Sequence, residues 1–480
     1  MKTLDVLTEW CDSHGFCLNP KVEIVVLPGL HARGMIAKES ISRGEILFRV
    51  PKEWRIVGDR SISNDLTAIE RTGVALKIEM LKGDSSKFVP YLRFLDEIHW
   101  NTLNATILWT PEELDQLRGC SIELSPTRQE AEKRFKEIVN PILRSKGLDM
   151  SFEEWLHLLC IVQAYSFSSG EYNDDSVAMT PLADVLNASV TLNNARVFYD
   201  DEETFESGPD HLTMEAVKDI DIGEEVYNTF GNLANARLVQ LYGYIESPYF
   251  DLPVNRYDEI SLPGKFISQS VERLIKNCPV SFRVDNRNLS RRELLEQFCG
   301  YDLKSDYFFP FSFRKSGYIG LCALLALLRG ATLSAQVIQS QVDKSDVDAQ
   351  VETLQAFFEA LDSASLEESV LDELDVIVEK VLGQYRTSLE EDLKVIEGEG
   401  SGELAVRRKI AIALRIREKQ LLQQVKSVAR KLEEFPEFTS EDSSEESDDG
   451  DCSDSGVGGG IEVEEDDHEI LERARKKAKT

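Results

Sequence analysis

The chain has 480 residues, a formal net charge of −32 and 42% hydrophobic residues. That length exceeds one compact core and suits two domains with additions, and the apolar share is that of a globular protein. The longest apolar run, Leu321 to Leu328, is far too short to cross a bilayer, and Asp5, Glu9 and Asp12 interrupt residues 1–15 where a secretory leader needs an apolar stretch, so a soluble intracellular protein is expected.

The cysteines Cys11, Cys17, Cys120, Cys160, Cys278, Cys299, Cys322 and Cys452 form no C-x-x-C pair and no Cys/His cluster. Structural zinc is therefore not expected, and free thiols in a reducing compartment are. The charge is uneven. From Glu433 to Glu469 every charged residue is Asp or Glu, with His468 the one other titratable group, and this segment holds about half of the net charge. A broad basic face for nucleic acid is disfavoured, whereas a basic protein partner suits such a surface.

In chain order, residues 1–21 predict a short helix from Leu4 to Cys11 and a turn. Short β-rich runs follow from Val22 to Val50 (V-E-I-V-V-L, G-M-I-A, E-I-L-F-R-V), punctuated by Gly29, Gly34 and Gly44 and closed by Pro51. Residues 64–169 read as helical, with Leu114, Leu117, Phe135, Ile138, Trp155, Leu158, Leu159 and Val162 at helical spacing. Strands return as A-R-V-F-Y, H-L-T-M-E-A-V and E-E-V-Y between Ala195 and Tyr227, and Asn235 to Tyr242 predicts a helix. A strand-rich unit over 22–250 is thus interrupted by an insert long enough to be a subdomain. Residues 251–434 read as helical, with amphipathic stretches over Ser363–Leu382 and Gly402–Leu432 that suit a bundle. Residues 435–480, rich in Ser, Asp, Glu and Gly, bury too little to offset their ordering entropy and are expected to be disordered. Their end, E-R-A-R-K-K-A-K-T, reads equally as a nuclear-import signal or a frayed helical tail.

Three segments carry the chemistry. They are P-G-L-H-A-R-G-M-I-A at Pro28–Ala37, P-L-A-D-V-L-N-A at Pro181–Ala188, and I-G-E-E-V-Y-N-T-F-G at Ile222–Gly231, the last followed by N-A-R-L-V-Q-L-Y-G-Y-I-E at Asn235–Glu246. Singly each has a plain explanation: a glycine turn between strands, an Asn capping a turn, a Tyr on an apolar helix face. In this order they resemble the SET-domain protein-lysine methyltransferases. The branch is the one with a helical insert and a helical C-terminal substrate-binding domain, which includes the Rubisco large-subunit methyltransferase. The V-Y-N-T-F-G and L-Y-G-Y-I-E segments are most similar to the ribosomal lysine N-methyltransferase 4 group.

The resemblance implies an α+β architecture: a SET-domain β-fold with a helical insert, an all-α C-terminal substrate-binding domain and the acidic tail. It implies S-adenosyl-L-methionine as cofactor and no metal. Ala32, Arg33 and Gly34 would meet the cofactor, since a glycine turn lets backbone approach closely. Asn187 offers a donor and an acceptor to its ammonium and carboxylate. Ala188, Tyr165, Phe230 and Tyr242 complete the cofactor side, and Tyr242 is the phenol expected at the reacting centre. Ser166, Phe167, Asp184, Asn193 and Trp109 would line the substrate side, Trp109 having core packing as its plainer reading.

Two departures matter. Ala188 stands where relatives carry His, and Phe230 stands where they carry the Tyr whose phenol is the usual catalytic hydroxyl. The leading reading is a monomeric enzyme acting on a basic protein, a ribosomal protein first and a histone or transcription regulator second. No nucleic acid or membrane partner is expected, and the location is the nucleus, with the cytoplasm also open. A non-catalytic SET scaffold and an acidic histone chaperone are the competing readings.

Overall fold

The computed structural model describes residues 2–27, 33–96, 102–124, 126–168, 177–199, 211–275, 281–284, 287–290, 308–312, 368–398 and 404–430. These form two compact units. One comprises residues up to 114 and 122–256, and the other 115–121 and the described residues from 257 onward. The acidic tail and the run Leu321–Leu328 lie outside the described residues.

The first unit opens with α1 (Lys2–Ser13), whose Leu7, Trp10 and Cys11 are buried. Trp10 meets Trp54 edge-on at 5.2 Å between ring centroids. A four-stranded antiparallel sheet has the order β1 (Cys17–Leu18), β4 (Ile46–Pro51), β10 (His211–Ala216), β9 (Ala195–Tyr199). Leu47, Phe48, Val50, Leu212 and Met214 are fully buried there, because β4 and β10 are covered on both faces and need little polar alternation. β2 (Val22–Val25) and β3 (Gly34–Ala37) form an antiparallel pair, and residues 224–226 flank β3 on its other edge: Val226 N–H donates to the Met35 carbonyl at 2.7 Å and Ala37 N–H to that of Glu224 at 2.9 Å. β5 (Ile56–Val57), β7 (Val177–Met179) and β6 (Ser166–Ser168) make a third small sheet, and β8 (Asn187–Ala188) pairs in parallel with β11 (Tyr227–Asn228).

The insert is helical as its periodicity predicts, and local chemistry sets where its helices begin. α2 (Ala68–Leu81), α5 (Arg128–Arg134) and α7 (Phe152–Tyr165) each start at a reciprocal capping box: Thr67 with Glu70, Thr127 with Glu130, Ser151 with Glu154. Between them lie α3 (Val89–Asp96), α4 (Pro111–Leu114) and α6 (Asn140–Ser145). Phe135, Trp155, Leu158 and Val162 are buried, as their spacing predicts. α7 ends at Tyr165 and the chain passes directly into β6, which fixes where Tyr165, Ser166 and Phe167 stand.

α8 (Asn235–Tyr242) stops at Gly243, in the left-handed region at φ 71° with its N–H donating to the carbonyls of Leu238 and Val239. A Cβ there would come within 2.0 Å of the Asn104 backbone, so two independent constraints require glycine between Tyr242 and Tyr244.

The second unit is mostly helical: α9 (Gly264–Ile275), α10 (Glu368–Leu382), α11 (Leu389–Glu397) and α12 (Val406–Ala429). The expectation of an all-α domain is corrected by four strands. β12 (Glu259–Pro263) pairs with β15 (Phe308–Ser312), and β13 (Ser281–Val284) with β14 (Arg287–Ser290). The F-F-P-F-S stretch is short and aromatic, which favours a strand over a helix turn. Residues 115–121, inside the SET insert by sequence, belong to this unit: Ser121 N–H donates to Glu418, and Arg415 to the Gln116 carbonyl.

At its centre Asp392, almost fully buried, accepts from Arg415 Nε at 3.0 Å and Nη2 at 2.6 Å, from Lys419 Nζ at 2.6 Å and from Thr387 Oγ1 at 2.8 Å. Burial opposes the charge, but Arg415 and Lys419 outweigh it and hold the carboxyl below its usual range. Among the described residues Cys11, Cys17, Cys120 and Cys160 are free thiols, no group of His, Cys, Asp and Glu could hold a metal ion, and no helix is long and apolar enough to cross a membrane. Asp392→Ala strands two buried cations and should destabilise the second unit by about 3–5 kcal/mol, read as a lowered calorimetric transition. A loss below about 1 kcal/mol would mean that the triad is not what holds these helices together.

Candidate active site

Three segments distant in sequence meet at Asn187. With β8 paired to β11, Tyr227 lies opposite Asn187. The Asn187 Nδ2 donates to the Arg33 carbonyl at 2.8 Å and to Glu225 Oε1 at 2.6 Å. A carbonyl and a carboxylate both face that atom, so only the amide nitrogen can stand there. Both amide hydrogens are therefore used inside the protein. The expected pair of ligand-binding groups reduces to one, the acceptor Oδ1, which suits an ammonium donor. Gly34 packs against the same atoms: a Cβ would lie 2.5 Å from Leu27 Cδ1, 2.7 Å from Glu225 Oε1 and 3.1 Å from Asn187 Nδ2. Glu225 Oε2 in turn accepts from the Tyr227 hydroxyl at 2.7 Å. Burial first, then Glu225, pushes the Tyr227 phenol well up.

A second cluster surrounds the Arg33 side chain. Its guanidinium lies 3.7 Å from the Phe94 ring centroid and 5.9 Å from that of Tyr165. Asp184, buried, accepts from the Tyr91 hydroxyl at 2.6 Å through Oδ2, while Oδ1 has no hydrogen-bond partner. Burial pushes its carboxyl up to about 7, against the Tyr91 hydrogen bond and the Arg33 charge, which pull it back. Leu182, two residues earlier, is buried at a positive φ of 77°, so strained backbone delivers Asp184 to this place.

A third cluster is aromatic. Phe230 stacks on Tyr242 with centroids 3.7 Å apart and planes 7° from parallel, and Tyr244 lies 6.3 Å from Phe230 at 51°. Burial raises the Tyr242 phenol, opposed by a hydrogen bond to the Gln163 side chain and by Arg237.

Of the sequence-derived residues, Arg33, Gly34, Asn187 and Ala188 share the first cluster or its strand, Arg33, Tyr165 and Asp184 the second, and Phe230 and Tyr242 the third. Ala32 lies outside the described residues. Ser166 and Phe167 are half-buried on β6, next to Tyr165. One expectation is corrected. Trp109 is 2% exposed and its indole N–H donates to the Asn104 carbonyl at 2.6 Å, so it offers nothing to a groove. Asn193 donates to the carbonyls of Ala195 and Tyr227 and ties β9 to β11. The motifs alone give no role to Glu225, Tyr91, Phe94, Gln163 or Tyr244. Glu225 carried a faint signal as the second carboxylate of G-E-E-V; Tyr91 and Phe94, three apart on α3, read as ordinary core.

The fold and this site define a class. Residues 32–231 match the SET domain family and residues 324–422 the Rubisco LSMT substrate-binding family. The chain thus carries a SET domain followed by a Rubisco LSMT substrate-binding domain. It is similar to the zebrafish (Danio rerio) protein named N-lysine methyltransferase setd6, 25% identical over 88% of this chain and 94% of that one. It is also similar to the Saccharomyces cerevisiae protein named Ribosomal lysine N-methyltransferase 4, 26% identical over 48% of this chain and 52% of the relative. Among solved structures, the SET domain of LSMT bound to lysine and AdoHcy shares the fold at a TM-score of 0.58 and 19% identity, covering 98% of both chains.

Asn187→Asp sets a second carboxylate against Glu225 and should cost about 2–3 kcal/mol of stability, while adding Glu225→Gln should return most of it. Loss without that rescue in thermal unfolding would dissociate the two residues. Asp184 predicts a pH effect. Its folded-state value lies above the ordinary 3.8, at about 7, so the folded state holds more protons across that window. Stability should fall as pH rises through the window, and Asp184→Asn, which keeps an acceptor for Tyr91, should flatten the slope. An unchanged slope in the variant refutes the assignment.

Proposed function

We propose that this chain transfers a methyl group from S-adenosyl-L-methionine to a lysine side chain of a protein, and that the protein is ribosomal. One observation carries the reading: the Asn187 amide joins the Arg33–Gly34 turn to the Glu225 segment at a single point. The residues present fit the cofactor. Asn187 Oδ1 is the acceptor its ammonium needs, and the flat Phe230–Tyr242 pair offers an aromatic surface. When bound, the cofactor supplies an electrophilic methyl on a sulfonium.

The chain's own residues would orient the partners and keep water out, since in-line transfer to a neutral amine needs alignment and a dry path. Asp184 Oδ1, buried without a donor, is available to a hydrogen of the incoming amine. Names of relatives support the reaction and, in the yeast case, the substrate class. The net charge of −32 favours a basic substrate over nucleic acid. A monomer working in the nucleus, with the basic end of the tail as import signal, completes the proposal. Phe230 favours one alternative, a SET scaffold that binds cofactor without turnover.

The test is tritiated S-adenosylmethionine with the full chain and separate ribosomal and histone fractions. Label on a ribosomal protein, mapped to lysine by mass spectrometry, is the expected result. Label on histones alone would overturn the substrate, and S-adenosylhomocysteine binding by calorimetry with no labelled product would favour the scaffold.

A further inference from the structure

Phe230 has no hydroxyl, yet one buried phenol beside its ring has no hydrogen-bond partner. That phenol is Tyr244. Gly243, at positive φ, turns the chain at the end of α8 so that the residues on either side of it both reach Phe230. Three other phenols near the site are engaged: Tyr91 donates to Asp184, Tyr227 to Glu225, and Tyr242 contacts the Gln163 amide. A buried hydroxyl without a partner destabilises a fold relative to the same ring as Phe, so folding alone gives no reason to keep it. A hydroxyl left unsatisfied beside the aromatic cluster is free to accept from a group that arrives there.

We propose that the Tyr244 hydroxyl is the catalytic oxygen of this chain, accepting a hydrogen bond from the substrate amine beside the Phe230 ring. The inference rests on the methyltransferase reading. In the step it serves, the lysine nitrogen forms a bond to the methyl carbon, the carbon–sulfur bond breaks with its electron pair going to sulfur, and the surplus proton on nitrogen leaves to water afterwards. Tyr244 takes no part in bond making. Its oxygen accepts from the amine and faces the polarised methyl hydrogens, contacts available only to a group already free of other partners. It stays protonated throughout, because burial and then the charges of Glu246 and Tyr242 hold its acidity well below that of an ordinary phenol.

The test compares the full chain with Tyr244→Phe and with the exchange Phe230→Tyr/Tyr244→Phe. Each is measured for turnover of tritiated S-adenosylmethionine on ribosomal protein, for S-adenosylhomocysteine affinity and for melting temperature. Tyr244→Phe should lower turnover about 10- to 100-fold, leave affinity within about twofold, and melt no lower than the parent. The exchange should recover turnover to within about threefold of the parent. Turnover in Tyr244→Phe within about twofold of an active parent overturns the inference and leaves the methyltransferase reading intact. A lower melting temperature also overturns it, since the hydroxyl then has a structural partner. A parent that neither binds S-adenosylhomocysteine nor turns over sinks the methyltransferase reading and this inference with it. A parent that binds but never turns over sinks the inference in favour of the scaffold.

Discussion

The carboxylate of Glu246 is the constraint around which the first unit closes. It is 1% exposed, and every group aimed at it is a donor: Ser189 Oγ at 2.8 Å, the backbone N–H of Val190 at 2.5 Å, and the N–H and hydroxyl of Thr191 at 3.2 and 2.5 Å. Its own backbone is held by Asn235, which accepts from the Glu246 N–H at 2.9 Å and donates to the Glu246 carbonyl at 3.0 Å. One side chain thereby fastens the loop after Asn187 to the segment carrying Tyr242 and Tyr244. Hydrogen bonds to an ionised acceptor are worth about 1.5–3 kcal/mol each and lose far more when one partner is removed in a dry interior. Nothing nearby could replace four convergent donors' common acceptor, so the aromatic cluster inherits its position from this residue.

Asn187 repeats the arrangement on a smaller scale. Glu246 binds the loop after β8 to the segment after α8; Asn187 binds β8 itself to the turn before β3 and to Glu225. Each is a single polar side chain that bonds a remote segment of the backbone. Strand pairing alone would not suffice, because β8 and β11 are two residues each. With ladders that short, register falls to side chains that can bond in one geometry only.

What the sequence made legible was local. The strand runs around β2, β3, β4, β9 and β10 and the helices α1, α7 and α8 announce themselves by period and punctuation, and the three motifs point to one site because their residue types are unusual together. What it hid depends on long-range partners. Asn187 read as a group with a donor and an acceptor to give a ligand, and only the arrival of the Arg33 carbonyl and Glu225 removes the donor. Trp109 is exposed or buried according to what covers it, which no spacing reports. Residues 115–121 lie inside the insert by sequence but fold with the second unit, because Glu418 and Arg415, some three hundred residues on, supply the partners for their backbone. The strands β12 to β15 escaped because pairs of short strands among helices leave no sustained alternation to read.

Phe230 is where local and long-range arguments meet. Read alone, its missing hydroxyl signals a weakened or silent site. In the fold its ring is stacked face to face on Tyr242 at 3.7 Å, and the ring of Tyr244 stands 6.3 Å away at 51°. On the proposed reading, a hydroxyl at 230 could pair with the one at 244, whereas Phe230 offers it no partner, so the Tyr244 oxygen keeps its lone pairs for an arriving donor. The carbon ring at 230 and the phenol at 244 are therefore one design choice. It leaves the Tyr244 oxygen free because its neighbour has none to offer.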